Sequence, residues 1–225
     1  RLDLVPLALL AAVALVALPL VGSGSTWLTL TVAGLAMGTI VFIVASGLTL
    51  VFGLMDVLNF GHGVFLALGA YVAVSSFGAM AGYAASPSLA MNLVAVFAAI
   101  GIAMLAAGAL GLAFERVVVK PVYGHHLKQI LITMGGMIVG EELIKLVWGP
   151  VPIALPLPET LRGSFVIGEA IVEKFRVLAT VIGAVVFVVL AWVLARTKLG
   201  LLIRAGVENR EMVEALGYRI ERLFV

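Results

Sequence analysis

Asp56, Asn59 and His62 fall within two helical turns of one another, in the stretch SGLTLVFGLMDVLNFGHGVFLALGAY from Ser46 to Tyr71. A carboxylate, an amide and an imidazole together can bind a polar solute, or satisfy backbone groups where a helix is interrupted. Gly53, Gly61 and Gly63 stand beside them, and glycine is the residue that tolerates such an interruption. The setting isolates the cluster, because Asp56 is the only charged residue between Asp3 and Glu115. A carboxylate at the centre of a bilayer costs about 2.5–3.5 kcal/mol on insertion scales. Here, then, the chain either turns at a membrane surface or breaks inside a protein-lined cavity. Both alternatives make residues 53–63 a polar pivot between two long apolar helices. Asn59 and His62 are three apart and share a face if the chain is helical from Val57 onward.

The other polar groups offer less chemistry. His125 and His126 are adjacent, so they point in different directions, and no Cys or carboxylate lies at metal-ligand spacing. They read as a solvated loop pair in ERVVVKPVYGHHLK, Glu115 to Lys128, where Pro121 and Gly124 interrupt any helix. Glu141 and Lys145 are four apart and can pair on one helix face, which leaves Glu142 without an obvious partner. There is no phosphate loop of the GxxxxGK[ST] type and no nucleophile–base arrangement, so no catalytic, metal or cofactor site is expected. The chain has no cysteine.

The elements that position these groups follow from composition. Of 225 residues 63% are hydrophobic and 12% charged, and mean hydropathy is +1.23. A soluble domain carries about 25% charged residues, so this composition identifies an integral membrane protein. The net charge of +2 gives no basic patch interleaved with aromatics, so nucleic acid is not an expected partner. Predominantly apolar runs of about 20 residues cross the hydrocarbon. Six are expected: Leu4–Val21, Leu28–Leu54, Val57–Met80, Leu89–Phe114, Gln129–Trp148 and Arg176–Ala195. A signal peptide is the competing reading of the first, although its apolar core exceeds the usual ~7–15 residues. Gly34 and Gly38 form a small-residue helix face suited to close packing. Pro150, Pro152, Pro156 and Pro158 make an extended loop, and SFVIGEAIVEKF after them suits a short strand or an interfacial helix. Residues 196–222 read as a long charged loop. The expected fold is all-α, a polytopic transmembrane bundle in a single domain over 1–225. Its start at Arg1 and the new apolar run at Leu223 suggest a C-terminally truncated piece of a longer protein. If each run crosses once, ten Lys and Arg residues lie on the side of the N-terminus, the 115–128 loop and the 196–222 loop. Three lie opposite. The positive-inside rule makes the first side cytoplasmic.

Within the 196–222 loop, NREMVEALG has a helix pattern of its own. Asn209 is a suitable N-cap and Gly217 a suitable C′ residue. Met212, Val213 and Leu216 share one face at i, i+3 and i+4 spacing. A membrane-surface helix and a helix docking on a partner both fit this pattern.

Two stretches carry a family resemblance: GLTLVFGLMDVLNFGHGVFLALGAYVA, Gly47 to Ala73, and GLLIRAGVENREMVEALG, Gly200 to Gly217. In this order and spacing they resemble the membrane permease of branched-chain amino acid ABC importers, and urea and short-chain amide importers have similar permeases. FERVVVKPVYG, Phe114 to Gly124, holds the place of the family's short cytoplasmic Arg-Pro loop but has Lys120 before Pro121. The resemblance implies a bacterial-type inner-membrane subunit that translocates a solute delivered by an extracytoplasmic binding protein. It implies a second homologous permease subunit and separate ATPase subunits. It assigns ATPase coupling to Arg204, Glu208, Asn209, Met212, Val213, Ala215, Leu216 and Gly217. It leaves Ser46, Asp56, Asn59, Gly61, His62 and Gly63 as the translocation path or helix break. An ion-coupled carrier or channel is the other class considered, with Asp56, Glu141, Glu142 and Lys145 as its coupling groups. A carrier has no need of the charged 196–222 loop.

Overall fold

The computed structural model describes residues 5–55, 59–208 and 212–213. Helices dominate: α1 (Val5–Val21), α2 (Gly24–Met55), α3 (His62–Ala79), a single turn α4 (Ala81–Ala84), α5 (Leu89–Phe114), α6 (His126–Trp148), α7 (Lys174–Arg196) and α8 (Lys198–Glu208). α5 runs on through a π-helical turn, Glu115–Val119, and a 3-10 turn, Lys120–Val122. Several hydroxyls inside these apolar helices are satisfied locally. Thr29, Thr39, Thr49 and Thr180 each donate back to a carbonyl three or four residues earlier, so the bilayer meets no unpaired hydroxyl there.

Among the described residues four helices are long and apolar enough to cross a membrane: Gly24–Val51, His62–Ala79, Leu89–Val122 and Lys174–Arg196. Six spans were expected, and the two that differ are both helical. Among the described residues α1 contributes a shorter apolar helix, Ala8–Val21. α6 has the length, 23 residues, but carries Lys128, Glu141, Glu142 and Lys145. The charges, rather than the helix length, separate α6 from the four spans.

The chain divides into two compact units. In the first, residues 1–43 and 161–188, the Trp27 indole donates to the Ala14 carbonyl at 2.7 Å and ties α1 to α2. Phe42 meets Phe187 edge-on with ring centroids 5.2 Å apart. Gly183 lies so close to Thr39 that any β-carbon there would collide with it. This unit includes a small antiparallel hairpin, β1 (Ser164–Ile167) and β2 (Ala170–Glu173), with Ser164 opposite Glu173 and Ile167 opposite Ala170. Gly168 turns it at φ +63, a conformation that favours glycine. In β2 Ala170 and Val172 point inward and alternate with exposed Ile171 and Glu173, so the strand option for this segment is the one adopted.

In the second unit, residues 44–160 and 189–225, α3 packs along α5 and also touches α6. Asn92, Ala95, Val96, Ala99 and Ala103 form the buried face of α5, a 3.6-residue repeat of mostly small side chains that allows close helix approach. Most large apolar side chains, among them Leu105, Leu127 and Leu146, are exposed, as suits a surface solvated by lipid rather than water.

Candidate functional site

The polar pivot is where α2 gives way to α3, both in the second unit at this point. α2 ends at Met55 and α3 begins at His62, and Asp56 lies outside the described residues. The intervening turn is held by side chains. Asn59 Oδ1 accepts the Gly61 N–H at 2.9 Å, and Thr133 Oγ1 of α6 accepts the Phe60 N–H at 3.4 Å. Thr133 is fully buried and donates in turn to a carbonyl of its own helix, 2.8 Å from that of Gln129. The break thus finds partners for backbone groups that no helix serves, which apolar surroundings demand.

Beside this turn is a cavity of about 270 Å³, whose polar lining comes from Asn59, His62, Glu115 and Tyr123 and whose apolar lining includes Val51, Phe65 and Phe114. His62 is seated by Gly47, because a β-carbon there would stand 3.4 Å from the imidazole. Glu115 opens the π turn after α5, and its Oε1 accepts the Tyr123 hydroxyl at 2.7 Å. A π turn inserts an extra residue into the helical register, which re-aims the side chains that follow it. His62 Nε2 and Glu115 Oε2 are both buried and find no hydrogen-bond partner among the described residues. A cavity with an imidazole, an amide, a phenol and a carboxyl oxygen on an apolar wall can hold a small polar or zwitterionic solute and orient it.

Of the residues expected at the break, Asn59 and His62 line this cavity, and Gly61 is buried beside it, 3.1 Å from Asn59 Oδ1 at the position of a β-carbon. Ser46, next to Gly47 in α2, and Gly63, on α3, are not among the lining residues. Glu115 and Tyr123 were missed because both were read as parts of a solvated loop. The signal available was Glu115 itself, a carboxylate directly after a long apolar run.

The second group of expected residues is different in form. Residues 198–208 were read as loop, but they form α8, which follows α7 after Thr197 alone. Gly200 makes this possible, since a β-carbon there would run into the Leu194 backbone. Arg204 Nε donates to the Gly200 carbonyl at 3.2 Å, and Glu208 ends the helix. Met212 is exposed, whereas Val213 is only 4% exposed, so of these two only Met212 is open to a partner. Asn209, Ala215, Leu216 and Gly217 lie outside the described residues. On α6, Lys145 pairs with Glu142 at 2.7 Å rather than with Glu141. Glu142, which had no obvious partner in the sequence, is the one Lys145 takes.

A family model described as branched-chain amino acid transport system / permease component matches residues 30–225. The chain belongs to this family. Among curated proteins, it is 28% identical over 190 residues to the high-affinity branched-chain amino acid transport system permease protein BraD of Pseudomonas aeruginosa, covering 82% of this chain and 60% of BraD. The corresponding LivH proteins of Salmonella typhimurium and Escherichia coli are 28% and 27% identical over 198 residues, covering 84% of this chain and 62% of each relative. The chain therefore spans about 60% of the length of these relatives. No solved structure gives a significant match. Family and structure together make this a polytopic helical membrane protein of the branched-chain amino acid transport permease family.

Proposed function

We propose that the chain is the membrane-spanning permease subunit of an ABC importer for branched-chain amino acids, in a bacterial-type inner membrane. The observation that carries this reading is the family match across residues 30–225, together with relatives named for that transport. In this reading an extracytoplasmic binding protein delivers the solute. It passes the cavity at the helix break, where His62, Asn59 and Glu115 offer polar contacts. ATP is hydrolysed by separate ATPase subunits, a second homologous permease completes the pathway, and the substrate reacts with nothing in this chain. Residues 1–225 act as one permease domain. Urea and short amides are the other substrates to be assayed alongside leucine, isoleucine and valine.

The segment from Arg204 to Gly217 is the proposed contact with the ATPase. α8 leads out of α7 through a turn too tight for a side chain at residue 200, so a push on α8 is transmitted to α7 rather than absorbed in a loose linker. Leu216→Asp puts a charge into the proposed apolar contact and leaves the spans untouched. It is expected to keep membrane abundance near wild type and to abolish co-purification of the ATPase and substrate-stimulated ATP hydrolysis. Arg196→Gln, outside this segment and exposed, should change neither. Full recruitment and stimulation with Leu216→Asp would remove the segment from the coupling role and favour a carrier or channel instead.

A further inference from the structure

An apolar groove of about 840 Å³ runs along α6 in the second unit, distinct in character from the polar cavity. Its floor is α3, through Val64, Phe65 and Leu68, and one wall is the end of α5 with Val117 and Val118 of the π turn. The other wall is α6, where Leu131, Gly135, Val139 and Leu143 recur at helical spacing and so keep one face to the groove. From Leu131 to Leu143 the helix rises about 18 Å. One leaflet of a bilayer offers about 15 Å of hydrocarbon, half of the ~30 Å core.

The groove is deep because two glycines draw its floor in and a third leaves it open. A β-carbon at Gly136 would stand 2.5 Å from the Phe114 ring, and one at Gly140 2.5 Å from Val64 Cγ1. At Gly135 a β-carbon would meet nothing within 4 Å, so this residue faces open space.

The two ends differ in charge. Lys128 is one turn before Leu131 and Ile132 on the same face of α6, and Lys120 is one turn past Val117; both lysines are exposed. Arg116 is next to Val117. Glu115, the carboxylate beside Arg116 in the sequence, lines the polar cavity and bonds Tyr123 there. At the far end Lys145 is taken by Glu142, and Glu141 adds a negative charge. An apolar slot one leaflet deep, with exposed lysines that form no ion pair among the described residues at one end, matches a lipid with a negative headgroup.

We propose that this groove binds an acyl chain of an anionic phospholipid whose phosphate rests on Lys120 and Lys128. A zwitterionic lipid can fill the slot but gains little from the lysines, whereas each basic side chain near an anionic headgroup is worth about a fivefold gain. Burial of the chain against Phe65, Val117 and Leu131 supplies the part of the affinity that is independent of charge.

The test is native mass spectrometry of the purified full chain, delipidated and titrated separately with dioleoyl phosphatidylglycerol and dioleoyl phosphatidylcholine. Wild type is expected to retain the anionic lipid at least about tenfold more tightly, given two lysines at about fivefold each. Lys120→Gln with Lys128→Gln should erase the preference but keep weak retention of both lipids. Gly135→Leu, which fills the slot without a collision, should lower retention of both. Both variants should elute as wild type does in size-exclusion chromatography. Equal retention of the two lipids by wild type would overturn the proposal. So would unchanged retention in Gly135→Leu, or efficient cross-linking of Gly135→Cys to a second permease subunit, which would mean that protein covers the groove. None of these outcomes depends on which solute is transported.

Discussion

At the residue scale, the proposed path and the packing of the helices draw on buried polar side chains in different proportions. Asn59 and His62 line the cavity, and only Asn59 Oδ1 among their polar atoms there has a described partner, the Gly61 N–H. Replacing His62 by Leu should cut uptake severely while abundance stays near wild type. Asn59→Leu should lower both, because it also frees a backbone N–H in apolar surroundings, a loss of about 1–3 kcal/mol. Normal uptake in both variants would reduce the break to a plain turn. Asn92 shows the opposite emphasis. It is completely buried; its amide donates to the carbonyls of Tyr83 and Ser86, and its oxygen accepts the N–H and hydroxyl of Thr160. It pins the turn before α5 to the end of the proline-rich loop. Asn92→Leu is expected to destabilise the purified protein by at least about 2 kcal/mol, since several buried groups lose their partner at once. A thermal melt in detergent measures this, and an unchanged melting temperature would contradict the assignment. Little of this was visible in the sequence, where Asn92 is one amide in an apolar run. The Asn59–His62 pair was legible because its neighbours are glycines and because Asp56 beside it is the only charged residue between Asp3 and Glu115.

At the element scale, helix positions were largely legible and helix junctions were not. Hydropathy alone placed α5 at Leu89–Phe114 and α7 within two residues of its ends, because a bilayer requires long uninterrupted apolar runs. The continuation of α5 through a π turn was not legible, since ERVVVKPV has the composition of a loop and its helicity comes from packing on α6. α8 was hidden for the same reason. Its charges read as loop, and the decisive feature, a glycine fitted against the Leu194 backbone, is a matter of three-dimensional approach. Gly200→Ala should therefore uncouple α8 from α7: ATPase stimulation by substrate should fall several-fold while α7 still inserts. Gly101→Ala is the control, since a β-carbon there meets nothing within 4 Å and helix propensity favours alanine by about 1 kcal/mol. Equal stimulation in the two variants would show that the α7–α8 turn transmits nothing.

At the scale of the whole molecule, the class was legible from composition and the number of crossings was not. The charges on α6 decide it. If α6 crosses despite Glu141, Glu142 and Lys145, residues 120 and 156 lie on opposite sides; if it does not, they share one. The lysine and arginine distribution favours the first arrangement, with residues 120 and 204 cytoplasmic. Single cysteines at 120, 156 and 204, labelled in intact cells with an impermeant thiol reagent, should react only at 156. Labelling at 204 and not at 156 would reverse the orientation. The central claim, that this chain belongs to an ATP-driven amino-acid import pathway, has a more direct test. The permease is reconstituted in proteoliposomes with its ATPase subunits, second permease and binding protein, and uptake of radiolabelled leucine is followed. The account predicts accumulation that requires both ATP and binding protein, is competed by isoleucine and valine, and collapses with His62→Leu. Leucine accumulation driven by an ion gradient without ATP, or none under any condition while urea or an amide accumulates, would contradict it.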